Sequence, residues 1–122
     1  MPLCLAGAGL TVHLAVASFT LAWTHTIEKI PWEEDWRVEA DALVLTQSRV
    51  KGSGAGMEPP AYAKLTDGWY AWAPENPRRT SIQLRRASGL ADWTFCAPGI
   101  PCAPLGKVLG ADADPVTLSP CP

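Results

Sequence analysis

Residues 19–38 read FTLAWTHTIEKIPWEEDWRV, and apolar and polar side chains alternate along both halves of this segment. Alternation with a period of two is typical of a β-strand that buries one face. A loop at residues 28–31 would join the halves into an antiparallel hairpin in which Trp23 lies opposite Trp36. Aromatic cross-strand pairs of this kind stabilise antiparallel strands. The segment therefore predicts a β-hairpin with an aromatic, buried face.

The same register places His25 opposite Glu34 on the apolar face of that hairpin. A neighbouring carboxylate favours the charged imidazole, whereas burial opposes the charge. The pair is predicted to be either a hydrogen-bonded structural pair or a polar spot that binds a ligand or responds to pH.

Two further carboxylates, Glu28 and Glu33, lie close to this pair in the sequence. Together, His25, Glu28, Glu33 and Glu34 are ligand types that metal ions accept. A small-ligand or metal-binding β-module that uses these four residues is therefore the alternative interpretation. Against a metal site, the strand spacing distributes the side chains over both faces, so the favoured prediction contains no metal.

The rest of the chain predicts short strands separated by turns. Strands near residues 3–5 and 10–16 would flank an Ala-Gly-Ala-Gly turn, and a further strand covers residues 42–50. Asp67-Gly68 and Ser88-Gly89 each predict a hairpin turn. The total is about eight short strands without helical periodicity, which predicts an all-β fold, a small antiparallel β-sandwich or partly open barrel.

The 122-residue length suits one domain with one core. We predict a single all-β domain over residues 1–108 and a C-terminal tail over residues 109–122 packed on it. The net charge of −2 gives no electrostatic basis for binding nucleic acid. No G-x-S-x-G motif and no convincing nucleophile–base arrangement occur, so the sequence predicts a protein that is not an enzyme and needs no cofactor.

The four cysteines permit two disulfides. Cys96 and Cys102 bracket a short Ala-Pro-Gly-Ile-Pro loop and are the favoured pair, and Cys4 and Cys121 are candidates for a second. The absence of a C-x-x-C pair argues against a structural zinc site. Disulfides would indicate an oxidising, extracytoplasmic compartment, and four reduced cysteines in a cytosolic protein are the alternative.

The first 24 residues carry no Asp, Glu, Lys or Arg. A signal peptide is one interpretation, because Ala15-Val16-Ala17 has the small-x-small form of a cleavage site. No basic region precedes the apolar run, and glycines interrupt it. We therefore favour two strands over a signal peptide or a spanning helix.

Three short motifs accompany the hairpin: the Gly-rich stretch GSGAG at residues 52–56, the turn DGWY at 67–70, and WTFC followed by a second cysteine at 93–102. Together they resemble an uncharacterised bacterial domain family. Its pattern is aromatic-T/V-H-S-x-E-x-x-P-x-E-E, then S-F-G-A-G, D-G-W, and a tryptophan before a cysteine pair. The similarity covers roughly residues 3–108. Two departures are Thr26 in place of the serine and the missing phenylalanine of the Gly-rich loop.

Members of that family are encoded beside, or fused to, membrane subunits of TAXI-type TRAP transporters. The resemblance implies a non-enzymatic accessory domain, periplasmic or otherwise extracytoplasmic and close to a membrane. Its partner would be a transporter membrane subunit or a solute-binding protein. The candidate ligand- or partner-binding residues at motif positions are His25, Glu28, Glu33, Glu34, Ser53, Gly54, Gly56, Asp67 and Trp69.

Overall fold

The computed structural model describes residues 2–24, 30–52, 59–86 and 92–122. These residues form strands and one short helix, which are numbered in chain order: β1 (Leu3–Gly7), β2 (Leu10–Leu14), β3 (Ser18–Thr24), β4 (Pro31–Val38), β5 (Leu43–Lys51), β6 (Lys64–Thr66), β7 (Trp69–Trp72), β8 (Arg78–Arg79), β9 (Ile82–Leu84), β10 (Thr94–Ala97), β11 (Ile100–Pro104), α1 (Leu105–Leu109) and β12 (Val116–Pro120).

The strands form two antiparallel sheets that share one core. The smaller sheet has the order β2-β1-β12-β9, and the larger has the order β11-β10-β3-β4-β5-β7-β6, with β8 paired to β5. Neither sheet closes into a barrel. The prediction of an all-β, sandwich-like fold is therefore confirmed.

The core lies between the sheets and under α1. Its fully buried side chains come from both sheets and from the helix: Leu3, Leu5, Leu21, Leu43, Phe95, Leu105, Val116 and Leu118. Phe19 stacks on Phe95 at a centroid distance of 5.5 Å and on Trp36 at 6.2 Å. These aromatic contacts join β3, β4 and β10 on the face of the larger sheet that points to the core, which we call the inner face.

The predicted hairpin forms, but with another register. Trp23 lies opposite Trp32, Leu21 opposite Glu34 and Phe19 opposite Trp36. The predicted pairing of Trp23 with Trp36 is therefore wrong. The shift is an even number of residues, so every side chain keeps its predicted face. Aromatic-to-aromatic pairing is satisfied in either register, which explains why the pattern alone did not select the right one.

Two other sequence predictions need correction. β9 pairs with β12 in the smaller sheet, while β10 pairs with β3 and β11 in the larger, so the predicted hairpin across Ser88-Gly89 is wrong. The described residues also contain twelve strands instead of about eight, because several are only two to four residues long. The turn between β1 and β2 and the Asp67-Gly68 hairpin are confirmed.

The segment after residue 108 contributes to the sheet structure. β12 lies inside the smaller sheet, between β1 and β9. Val116 and Leu118 are fully buried. Among the described residues, no helix is long and apolar enough to cross a lipid bilayer.

Both candidate cysteine pairs form disulfides. Cys96 and Cys102 close the β10–β11 turn over a sequence separation of 6, and Cys4 and Cys121 join β1 to the residue after β12 over a separation of 117. The structure has no free cysteine. The two bonds point to an oxidising environment.

Gly7 gives a stability prediction at the end of β1. A Cβ at this position would lie 2.7 Å from the Ala113 Cβ and 3.2 Å from the Leu109 Cδ2. Both neighbours are buried, so neither can move away freely. We expect Gly7→Ala to lower the free energy of unfolding by about 2 kcal/mol through overpacking. Urea denaturation measures this change, and an unaltered midpoint would contradict it.

Candidate functional site

Several of the motif segments attach at one end of the larger sheet. β3 ends at Thr24 opposite Pro31, the first residue of β4. The Gly52 N–H donates a hydrogen bond to the Gly68 carbonyl oxygen at 3.0 Å, beside the Asp67-Gly68 turn. Residues 25–29 and 53–58 therefore follow strands that end at the same edge of the larger sheet. His25, Glu28, Ser53, Gly54 and Gly56 lie outside the described residues.

The predicted register, in which His25 is opposite Glu34, is wrong, because Leu21 occupies the position opposite Glu34 on β3. On the other side of Glu34, the cross-strand neighbour is Ser48 of β5. Glu34 is therefore a carboxylate in the middle of the inner face.

Tryptophans surround Glu34 along and across the strands. Trp32 and Trp36 precede and follow it on the same face of β4, and Trp72 lies beyond Ser48 on β7. The Trp36 indole N–H donates to the Glu34 carboxylate at 3.3 Å. Burial raises the pKa of Glu34, while the Trp36 hydrogen bond and the positive charge of Arg79 oppose that rise.

The raised pKa gives a pH prediction. An acid with a raised folded-state pKa binds more protons in the folded than in the unfolded state, so its ionisation costs stability as the pH rises above the ordinary glutamate range. We expect Glu34→Gln to be more stable than the parent at neutral pH and to lose that advantage at about pH 4. Chemical denaturation at both pH values tests this, and a destabilised variant at neutral pH would contradict it.

Glu33 points to the opposite, outer face of β4. It accepts a hydrogen bond from Arg49 Nε at 3.0 Å. Arg49 also binds Asp35, which accepts a further hydrogen bond from Thr20 Oγ1 at 2.8 Å. These hydrogen bonds, led by those from Arg49, lower the pKa of Asp35 against the effect of burial. Glu33 thus belongs to a surface ion-pair network.

The placement of Glu33 and Glu34 on opposite faces bears on the metal interpretation. Successive side chains of a strand point to opposite sides of the sheet, so one ion cannot bind both carboxylates while β4 remains paired on both sides. The four residues of the metal-binding alternative therefore cannot all bind the same ion.

Asp67 and Trp69 flank the hairpin turn between β6 and β7. Asp67 and Gly68 both have positive φ, at 53° and 84°, as a tight two-residue hairpin turn requires. Trp69 pairs with Lys51 and points to the outer face, since its neighbour Tyr70 is opposite Val50 on the inner face. Asp67 therefore has a structural role in the turn, and Trp69 lies apart from Glu34.

The main feature that sequence reasoning missed is a group of four half-buried tryptophans on the inner face. This tryptophan cluster consists of Trp23, Trp32, Trp72 and Trp93. Trp23 contacts Trp93 at a centroid distance of 4.5 Å and Trp32 at 5.5 Å, and Trp32 meets Trp72 edge-on at 5.9 Å. The cluster continues the aromatic core toward the sheet end where residues 25–29 attach.

Trp32 carries an unusual polar group within the cluster. Its indole N–H is buried and has no hydrogen-bond partner among the described residues. A buried donor without an acceptor is costly in a folded protein. Half-buried tryptophans and a carboxylate thus lie together, a combination that suits contact with another molecule.

Comparison with known proteins gives a family and no characterised relative. Neither the curated proteins nor the solved structures contain a match. The family model described as "Domain of unknown function (DUF1850)" matches residues 19–103, from β3 to β11. This range contains the hairpin, all four tryptophans of the cluster and one disulfide. The chain therefore belongs to the family of domains of unknown function DUF1850.

Proposed function

We propose that this protein is a non-enzymatic, extracytoplasmic accessory domain that docks on a subunit of a TAXI-type TRAP transporter. The motif resemblance supports the choice of transporter, and the two disulfides support the compartment. The partner is the membrane subunit or the solute-binding protein. The tryptophan cluster with Glu34 is the docking surface.

The observation that carries the docking proposal is the group of four half-buried tryptophans that lies beside Glu34 on the inner face. Tryptophan is enriched among the residues that dominate binding energy at protein interfaces. Glu34 adds a negative charge that would help to orient the partner. Because Glu34 is partly buried, water would screen its attraction to a cation on the partner less than at an exposed site.

Two matched pairs of variants test which face of the sheet docks. Trp72 and Trp69 lie on opposite faces of β7, and Glu34 and Glu33 lie on opposite faces of β4. The oxidised domain and each variant are used to capture the membrane subunits and the binding protein encoded in its genomic neighbourhood. We expect Trp72→Ala to weaken capture about thirtyfold, the equivalent of the 2 kcal/mol of an interface hot spot.

The outer-face variant of each pair serves as the control. Trp69→Ala and Glu33→Gln should leave capture near the parent level, while Glu34→Gln should reduce it without loss of folding. Capture that depends on Trp69 and Glu33 instead would assign docking to the outer face and overturn the surface proposed here. No capture of any transporter subunit by the folded parent domain would overturn the docking function.

A further inference from the structure

We infer that His13, Cys4 and Cys121 form a zinc-type metal site when the disulfide between the two cysteines is open. This site is independent of the docking surface, because its residues lie on the smaller sheet. Cys4 is opposite His13 across the β1–β2 pair. The ligand atoms of all three residues lie within 4.8 Å of one another.

Backbone pairing within the sheet positions these residues in addition to the disulfide. Leu3 and Leu5, on either side of Cys4, are fully buried and fix β1 against the core. The Cys121 N–H donates to the Pro2 carbonyl oxygen at 3.0 Å, which extends the pairing of β1 with β12. β2 completes the arrangement by presenting His13 beside Cys4 on the face away from the core.

The donor set matches the chemistry of a borderline-soft cation. Two thiolates and one imidazole are a known zinc ligand combination, and water would take the fourth, open position. Tetrahedral zinc requires donor atoms about 3.5–4 Å apart, so small side-chain rotations are enough to close the site. His13 is exposed at the surface and gives the ion a path of entry.

The two sulfur ligands are available only when the disulfide between Cys4 and Cys121 is reduced. A disulfide binds zinc poorly, because the sulfur ligand in such sites is the thiolate. Reduction by a dithiol or a phosphine delivers two electrons and two protons to the disulfide and gives two thiols. A metal dication then displaces both protons and binds the two thiolates. The newly synthesised chain carries the same two thiols before oxidation.

Cobalt binding to a protein with one thiol pair tests the site. Cys96→Ser/Cys102→Ser leaves Cys4 and Cys121 as the remaining cysteines. This variant is reduced, freed of reductant without oxygen and titrated with Co²⁺. We expect one equivalent to bind with a thiolate-to-cobalt charge-transfer band that Zn²⁺ abolishes, and we expect no band from the oxidised variant.

Histidine variants assign the third ligand. In the same background, His13→Ala should weaken cobalt binding about tenfold or more, since even outer-shell changes at metal sites have effects of that size. Thr11→Ala, an exposed position two residues from His13 on the same face of β2, is the matched control. Equal effects of the two variants, or none from His13→Ala, would overturn the assignment.

Circular dichroism of the reduced variant separates metal binding from folding. If the reduced variant keeps its β-sheet spectrum and binds no Co²⁺, the proposal is wrong. If it loses that spectrum, added Zn²⁺ must restore it, because binding then drives folding. Failure of that restoration would also overturn the proposal.

Discussion

Replacement of Cys4 and Cys121 by serine is expected to lower the free energy of unfolding by about 4–5 kcal/mol. The disulfide closes a loop with a sequence separation of 117. In the chain-entropy model, a cross-link stabilises mainly by restricting the unfolded chain, and the effect grows with the logarithm of loop length. The segments that form β1 and β12, the first and last strands along the chain, are thereby kept close together even when the chain is unfolded.

The second disulfide is the internal control. Cys96 and Cys102 close a loop with a separation of 6, so Cys96→Ser/Cys102→Ser should cost about 2 kcal/mol. Guanidinium denaturation of the two double variants measures both values. Equal losses, or a larger loss from the short loop, would contradict the entropic origin of the difference.

The second large effect is expected at Arg86, which joins three parts of the chain. Its guanidinium donates to Asp92 at 2.9 and 3.0 Å, to Asp112 at 3.0 Å and to the Ala113 carbonyl oxygen at 2.8 Å. Asp92 in turn accepts hydrogen bonds from the N–H groups of Trp93 and Gly106. Only 14% of the Arg86 side chain and 21% of the Asp92 side chain are exposed.

Removal of Arg86 would leave the Asp92 carboxylate largely buried without its cation. We expect Arg86→Ala to lower the free energy of unfolding by about 3 kcal/mol at neutral pH, as for other broken buried pairs. Arg85→Ala is the matched control. Arg85 pairs with Asp114, but its side chain is 77% exposed, so its loss should cost much less stability than the loss of Arg86.

The pH dependence of the Arg86 variant follows from Asp92. Burial acts to raise the pKa of Asp92, but the hydrogen bonds from Arg86, Gly106 and Trp93 together outweigh burial and lower it. An acid with a lowered folded-state pKa gives stability above its unfolded pKa and loses it as the pH falls. The difference between parent and Arg86→Ala should therefore shrink below about pH 4. A difference that stays constant down to about pH 2 would contradict this account.

Local patterns in the sequence were enough to predict the strand character of this protein and several of its hairpins, but not the register of β3 against β4 or the assignment of strands to sheets. The face of Glu34 follows from the period-two alternation, whereas the register of β3 against β4 depends on which aromatic pairs pack best against β10. The Ser88-Gly89 prediction failed for a related reason. A turn signal cannot report that β9 and β10 belong to different sheets.

The candidate site was predictable only in part. The sequence drew attention to Glu33 and Glu34, and alternation separated their faces. The tryptophan cluster needed tertiary information, because Trp72 and Trp93 reach Trp32 and Trp23 through neighbouring strands. The proximity of His13 to both Cys4 and Cys121 also depends on sheet order, since these cysteines are separated by nearly the whole chain.

The position of β12 has a consequence for how the chain folds. β1 and β9 are both neighbours of β12 and are joined in one sheet only through it. A chain that emerges progressively from a ribosome or an export channel can form the β1–β2 hairpin early, but the smaller sheet stays divided until residues 116–120 have emerged. Such long-range pairing raises the contact order and slows folding. The edge of β1 that pairs with β12 thus keeps its N–H and C=O groups unpaired until β12 emerges, and a chaperone would find this edge accessible.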